Sequence, residues 1–78
     1  MTTREKVAAI MKEVKPTKNL ETTMDIVEGG YIDSFELMSL IASLMEEFNI
    51  DISIDEIVPE NFNSIDAMAR MVDVLKLK

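Results

Sequence analysis

Ser34 stands in the run Gly29-Gly30-Tyr31-Ile32-Asp33-Ser34-Phe35-Glu36-Leu37, in a chain with no histidine and no cysteine. A serine in that setting has no imidazole to make its hydroxyl an attacking group, so Ser-His-Asp chemistry is excluded. Such a serine is better placed to carry something than to attack. Zinc would find only carboxylates and carbonyls, which suit harder ions. A calcium loop starting at Asp51 fills its first three liganding positions with Asp51, Ser53 and Asp55. It then puts Glu56 where the sharp turn needs glycine and Phe62 where a bidentate glutamate is needed, so that reading fails. Glu46 and Glu47 are neighbours on a helix and do not face each other, which rules them out as a glycosidase pair.

Three helical segments must position Ser34. In the first, Thr2 and Glu5 have capping-box spacing, and Val7, Ile10, Met11 and Val14 follow at i, i+3, i+4, i+7. Pro16 stops it by pushing Lys15 out of the helical region. The second runs from Ser34 to Phe48, with Leu37, Leu40, Ile41, Leu44, Met45 and Phe48 on one stripe and Asn49 as a left-handed terminator. The third begins near Asn63 or Ser64, with Asn63 and Asp66 in capping-box-like spacing, and buries Ile65, Met68, Ala69, Val72 and Leu75. Between the second and third, Ile50-Asp51-Ile52-Ser53-Ile54 alternates like a strand but has no second strand to pair with. It reads instead as a loop, followed by a short helix that Ser53 and Glu56 cap and that ends before Pro59. The connection from Pro16 to Asp33 is long, and long loops are held by their own side chains or are functional. Leu20, Met24, Ile26, Val27 and Ile32 are its available anchors, and Gly29-Gly30 allows positive φ just before the second helix.

Composition sets the remaining bounds. With 78 residues, a chain buries only roughly 60% of its unfolded surface, which leaves room for one core and one domain, residues 1–78. The 47% hydrophobic share beside 29% charged residues belongs to a globular protein and not to a disordered one. No apolar run approaches the ~20 residues of a membrane span, and the N-terminus lacks a signal-peptide stretch, so a cytoplasmic location is expected. Without cysteine, helix packing alone must hold the domain. The net charge of −7 repels phosphate backbones and anionic lipid, which argues against nucleic acid and for partners with basic faces.

The sequence resembles the acyl carrier proteins and their peptidyl and aminoacyl relatives over its whole length and helix order. The residues that carry the likeness are Asp33-Ser34 at the head of the second helix, Glu36, the Leu37-to-Phe48 stripe, Glu46-Glu47-Phe48, Ile50-Asp51-Ile52, and the last helix introduced by Asn63-Ser64-Ile65. The resemblance implies an all-α fold: a small right-handed four-helix bundle, three longer helices plus one short helix, with a long first loop. It implies that Ser34 accepts 4'-phosphopantetheine from coenzyme A through a phosphopantetheinyl transferase, with Asp33 in support. The arm's thiol would then hold acyl groups as thioesters for acyl-loading and acyl-processing enzymes with basic docking patches. Phe35, Glu36, Met38, Glu46 and Glu47 would form the partner-facing surface of this stand-alone, monomeric carrier, which is not itself an enzyme. A helix N-terminus suits a phosphodiester on physical grounds too, since free N–H groups and a partial positive charge favour anions by typically ~0.3–1 kcal/mol.

Two features bear on which carrier this resembles. Phe35 stands where fatty-acid carriers usually have leucine, and Ser39 where they usually have an acidic residue, which points away from an ordinary fatty-acid synthase and toward a specialised pathway, for a polyketide, a modified lipid or an activated amino acid. An aminoacyl, D-alanyl-like cargo is the alternative, and Asp33 fits the acyl or D-alanyl branch. From another class, an unmodified acidic interaction module would use Ser34 only as a helix cap, worth ~0.5–2 kcal/mol against alanine. Met38, Met45, Met68 and Met71 could line an adaptable acyl shelter, although core packing is the better explanation for Met45 and Met68, and Met38 with Phe35 fits the contact face for partner enzymes. The excess of negative charge predicts self-repulsion that salt screens, so the melting temperature should rise modestly with moderate sodium chloride or divalent cations. Thermal melts across a salt series check this, and a flat or falling trend would refute the self-repulsion.

Overall fold

Each long helix begins at a side chain that accepts a hydrogen bond from a free backbone N–H. The computed structural model describes all 78 residues, Met1–Lys78. In α1 (Thr3–Val14), Thr2 Oγ1 accepts from the Glu5 N–H at 3.1 Å, and Glu5 Oε1 accepts from the Thr2 N–H at 2.8 Å. This is the reciprocal box expected from the spacing. Lys15 leaves the helical region ahead of Pro16, with φ −134° and ψ 74°. In α2 (Ser34–Phe48), Asp33 is the cap, and Asn49 closes the helix in the left-handed region at φ 54°, ψ 51°. A 3-10 turn (Ile54–Glu56) and a short α3 (Pro59–Phe62) lead to α4 (Ile65–Lys76). The all-helical expectation holds, and no strand forms.

Four local expectations need correction. The Ser53–Glu56 segment has the expected box, with the Glu56 carboxylate accepting from the Ser53 N–H at 2.7 Å and from the Ser53 hydroxyl, but makes only a 3-10 turn, because Val58 must be extended ahead of Pro59. The short α-helix starts at Pro59 instead of ending before it, since proline at the first position lacks only an N–H that would be unpaired anyway. Ser64, not Asn63, caps α4, accepting from the Ala67 N–H at 3.0 Å. Met24 is 72% exposed and anchors nothing, so Leu20, Ile26 and Ile32 alone are buried in the long connection, with Val27 half-buried.

The core is one cluster centred on α4. Ile65, Ala67, Met68, Ala69, Met71, Val72 and Leu75 are all buried, a wider face than the narrow stripe read from periodicity. That width follows from its neighbours, since α4 packs against α1, α2 and α3. α1 contributes Val7, Ile10 and Met11, and α2 contributes Leu40, Ile41 and Leu44. Full burial of one such side chain is worth roughly 1.5–3 kcal/mol, so this shared interior holds the chain without disulfides or metal. Ile52 reaches the core from the second loop while Ile54 is 83% exposed, which breaks the strand-like alternation at the 3-10 turn. No helix is long and apolar enough to cross a membrane.

Two carboxylates couple these caps to pH. Hydrogen bonds from the Thr2 backbone and side chain hold Glu5 below the ordinary glutamate value of 4.5. The hydroxyl and then the backbone N–H of Ser53 do the same for Glu56. With folded values below unfolded ones, the unfolded chain binds more protons through this window. The stabilisation is therefore complete above pH 4.5 and lost as pH falls through the lowered values. Urea midpoints should drop between neutral pH and pH ~3, and Glu5→Gln with Glu56→Gln should flatten that decline. An unchanged decline in the double variant would assign the acid sensitivity to other carboxylates.

Candidate functional site

The turn before α2 delivers Ser34 to the surface by a short series of constraints. The Gly29 N–H donates to Asp25 O at 2.6 Å, the Gly30 N–H to Val27 O at 3.1 Å and the Tyr31 N–H to Ile26 O at 3.0 Å. A Cβ on Gly29 would sit 2.6 Å from Asp25 O, and Gly30 has φ +74°, so both glycines are required for this tight path. Ile32 is then buried and Asp33 begins the cap. Asp33 Oδ1 accepts from the Glu36 N–H at 2.7 Å, and Glu36 Oε1 accepts from the Asp33 N–H at 3.0 Å.

Because Asp33 does the capping, Ser34 is left free. Its side chain is exposed and its hydroxyl has no hydrogen-bond partner in the chain. The N–H groups of Ser34 and Phe35, in the first turn of α2, have no acceptor either. The reading of Ser34 as a helix cap is thus overturned by the geometry. By contrast, Ser64 is buried as a cap and the Ser53 hydroxyl donates to Glu56.

Sequence reasoning placed Glu36 among exposed acids, but it is half-buried, and Lys15 Nζ donates to its Oε2 at 3.2 Å. Its charge is therefore spent on joining the end of α1 to the start of α2. Phe35 is 80% exposed and Met38 57%, both on the open side of α2 near Ser34. Glu46 and Glu47 are exposed at the other end of the helix, roughly 18 Å away along the axis at 1.5 Å per residue. Glu47 lies 3.9 Å from Lys6 Nζ. Glu13 of α1 shares a surface recess with Glu46 and Glu47, a member of the acidic face that no pattern within α2 could reveal.

Met68 is a core residue, as core packing requires, and Met71 is buried with it, while Met38 is exposed, so the four methionines do not line one shelter. A recess of about 280 Å³ lined by Val27, Ile32, Asp33, Ser34 and Leu37 lies at the serine instead. Val27 and Leu37 also line a smaller apolar cavity of about 70 Å³ with Ile57, Val58, Pro59 and Phe62.

A family model, the phosphopantetheine attachment site, matches residues 4–72. The chain belongs to that family. It is an acyl-carrier-type protein, a carrier and not a catalyst, whose family attaches 4'-phosphopantetheine covalently. As a carrier it interacts with modifying and acyl-handling enzymes. No curated protein gives a significant match.

Two residues that shape this carrier's site escaped sequence reasoning. Lys15 looked only like the end of a helix, and its ion pair with Glu36 has no local signature. Asn63 looked like a cap, but its Oδ1 accepts from the Val27 and Glu28 N–H groups at 3.0 Å each. Removal of the α2 cap should be measurable by itself. Asp33→Ala should cost ~0.5–2 kcal/mol in urea denaturation, and a loss under about 0.3 kcal/mol would show that the capping box contributes little in solution.

Proposed function

We propose that residues 1–78 act as one carrier domain and that Ser34 is the attachment residue, with acyl intermediates of fatty acid, polyketide or related biosynthesis as cargo. The observation that carries this reading is the state of Ser34: an exposed hydroxyl without an internal partner, beside two unpaired N–H groups at the head of a 15-residue helix. Those N–H groups and the positive end of the helix suit the anionic oxygens of a phosphodiester. Asp33 and Glu36 are acidic neighbours that would oppose it, but each accepts a backbone N–H and Lys15 partly neutralises Glu36.

Ser34 would supply the bridging oxygen of the phosphodiester. The chain has no histidine, and the Asp33 carboxylate is engaged by the Glu36 N–H, so the base that takes the hydroxyl proton belongs to the transferase. Once attached, the arm supplies the thiol on which an acyl group is held as a thioester. With no cysteine in the chain, no internal thiol competes for that acyl group.

The recess at Ser34 combines apolar Val27, Ile32 and Leu37 with the Asp33 carboxylate, a lining that suits an acyl chain and an aminoacyl group alike. Phe35 and Met38, exposed beside the serine, and the acids Glu13, Glu46 and Glu47 form the surface offered to enzymes with basic patches. Charges of this kind speed encounter and set orientation more than they tighten binding, which suits a carrier that must leave each partner.

Intact-mass spectrometry after incubation with coenzyme A, magnesium and a broad-specificity phosphopantetheinyl transferase tests the assignment. The native chain should gain one phosphopantetheine and Ser34→Ala none. The variant should keep its stability to within ~0.5 kcal/mol, because the hydroxyl caps nothing. Modification of Ser34→Ala would put the attachment elsewhere.

A further inference from the structure

We propose that Asn63 is a positioning residue for Ser34, clamping the turn at residues 25–31 from the junction between α3 and α4. Three consecutive N–H groups converge on it. The Ile26 N–H donates to Asn63 O at 2.9 Å, and the Val27 and Glu28 N–H groups donate to Asn63 Oδ1 at 3.0 Å each. Asn63 Nδ2 in turn donates to Glu28 Oε1 at 2.8 Å. The turn thus begins like a helix whose first N–H groups are capped, but by a residue distant in sequence.

This arrangement reaches Ser34 through few intermediates. Tyr31 is tied back to Ile26, Ile32 is buried, and Asp33 and Ser34 follow directly. Val27, whose N–H is clamped, lines the recess that contains Ser34. Burial of Ile26 sets the depth of the turn, but an apolar contact has no direction. The two bonds to Oδ1 fix its rotation. Ser64 caps α4, so the Asn63 side chain is not needed for its own helix and is spent across the fold. When a binding-competent arrangement is only partly populated, apparent affinity falls by that fraction. Loss of the clamp therefore acts on recognition of the carrier by its transferase more than on the chemical step.

The inference rests on the assignment of Ser34, and transfer kinetics with purified carrier variants test both. Asn63→Ala should lower kcat/KM for phosphopantetheine transfer at least about tenfold, carried by KM, with kcat within about twofold. Amide exchange at Val27 and Glu28 should accelerate while Leu40 and Ile41 in α2 stay protected. Asn63→Asp keeps the acceptor but sets a carboxylate against Glu28, and it should share the KM defect. Adding Glu28→Gln returns a donor to that pair and should restore KM to within about threefold of the native chain. A role in stability alone would shift unfolding midpoints without the KM defect or its rescue. An unchanged KM for Asn63→Ala despite faster exchange at Val27 and Glu28 would overturn the proposal, as would failure of Glu28→Gln to rescue a folded Asn63→Asp. If Asn63→Ala does not fold, the Asn63→Asp pair decides alone. Ser34→Ala is run in parallel: if it is modified, the Ser34 assignment fails and the clamp's role falls with it, whereas modification confined to Ser34 with indifferent Asn63 variants removes the clamp only.

Discussion

Residues 15–33 must bring the chain from the end of α1 to the head of α2 without a helical hydrogen-bond ladder, and every feature of the site depends on how they are held. A loop of that length has many backbone donors and few apolar side chains to settle its position. Leu20, Ile26 and Ile32 provide depth, and Asn63 takes the N–H groups that water would otherwise compete for. The glycines then let the chain reverse in a space too small for a side chain. Only after these constraints is Asp33 in place to cap α2, and only because Asp33 caps is the Ser34 hydroxyl free.

Charge is distributed to the same end. No lysine or arginine lies between Asn19 and Ala69, so the acids of α2 have no nearby cation in sequence. α1 and its flank supply cations to α2, and to α4 as well: Arg4 pairs with Asp66, Lys6 with Glu47 and Lys15 with Glu36. The exposed pairs, Arg4–Asp66 and Lys6–Glu47, are worth about 0–1 kcal/mol each, so they orient helices more than they hold them. The last turn of α2 has no cation of its own, and Lys6 and Lys76 lie 5.9 and 5.7 Å from the Phe48 ring centroid. They bring positive charge to a helix end that otherwise has unpaired carbonyls and Glu46-Glu47. Glu13 and Glu46 stay exposed and unpaired on this side of the molecule, as do Glu21, Asp25, Asp51, Asp55 and Glu60 elsewhere.

The helices themselves were largely legible, because amphipathic spacing and capping boxes act within a few residues. Thr2 with Glu5, Pro16, the stripe of α2 and Asn49 each perform the role that their local chemistry predicts. The errors fall where a side chain has a choice of partner. Asn63 could cap its own helix but Ser64 does so, and Glu36 could face solvent but Lys15 is within reach. The Ser53–Glu56 box opens only a 3-10 turn, because Pro59 holds Val58 in the extended region. Met71 joins Met68 in the core for a related reason: flexible thioethers fill whatever space the helices leave around α4.

By itself, then, the sequence determined the long helices and that Ser34 has no histidine to make it a catalytic nucleophile, since elements of 12 to 15 residues are specified by periodicity and caps, and a Ser-His-Asp site needs groups this chain lacks. The tertiary structure decided which polar side chains are spent and which remain available. Whether Glu36, Asn63 and Ser34 meet a partner inside the fold or present themselves outside depends on contacts between residues far apart in the chain. Such contacts exist only once α1, α4 and the long connection have packed, because no local rule makes Lys15 approach Glu36 or places Asn63 beneath Val27.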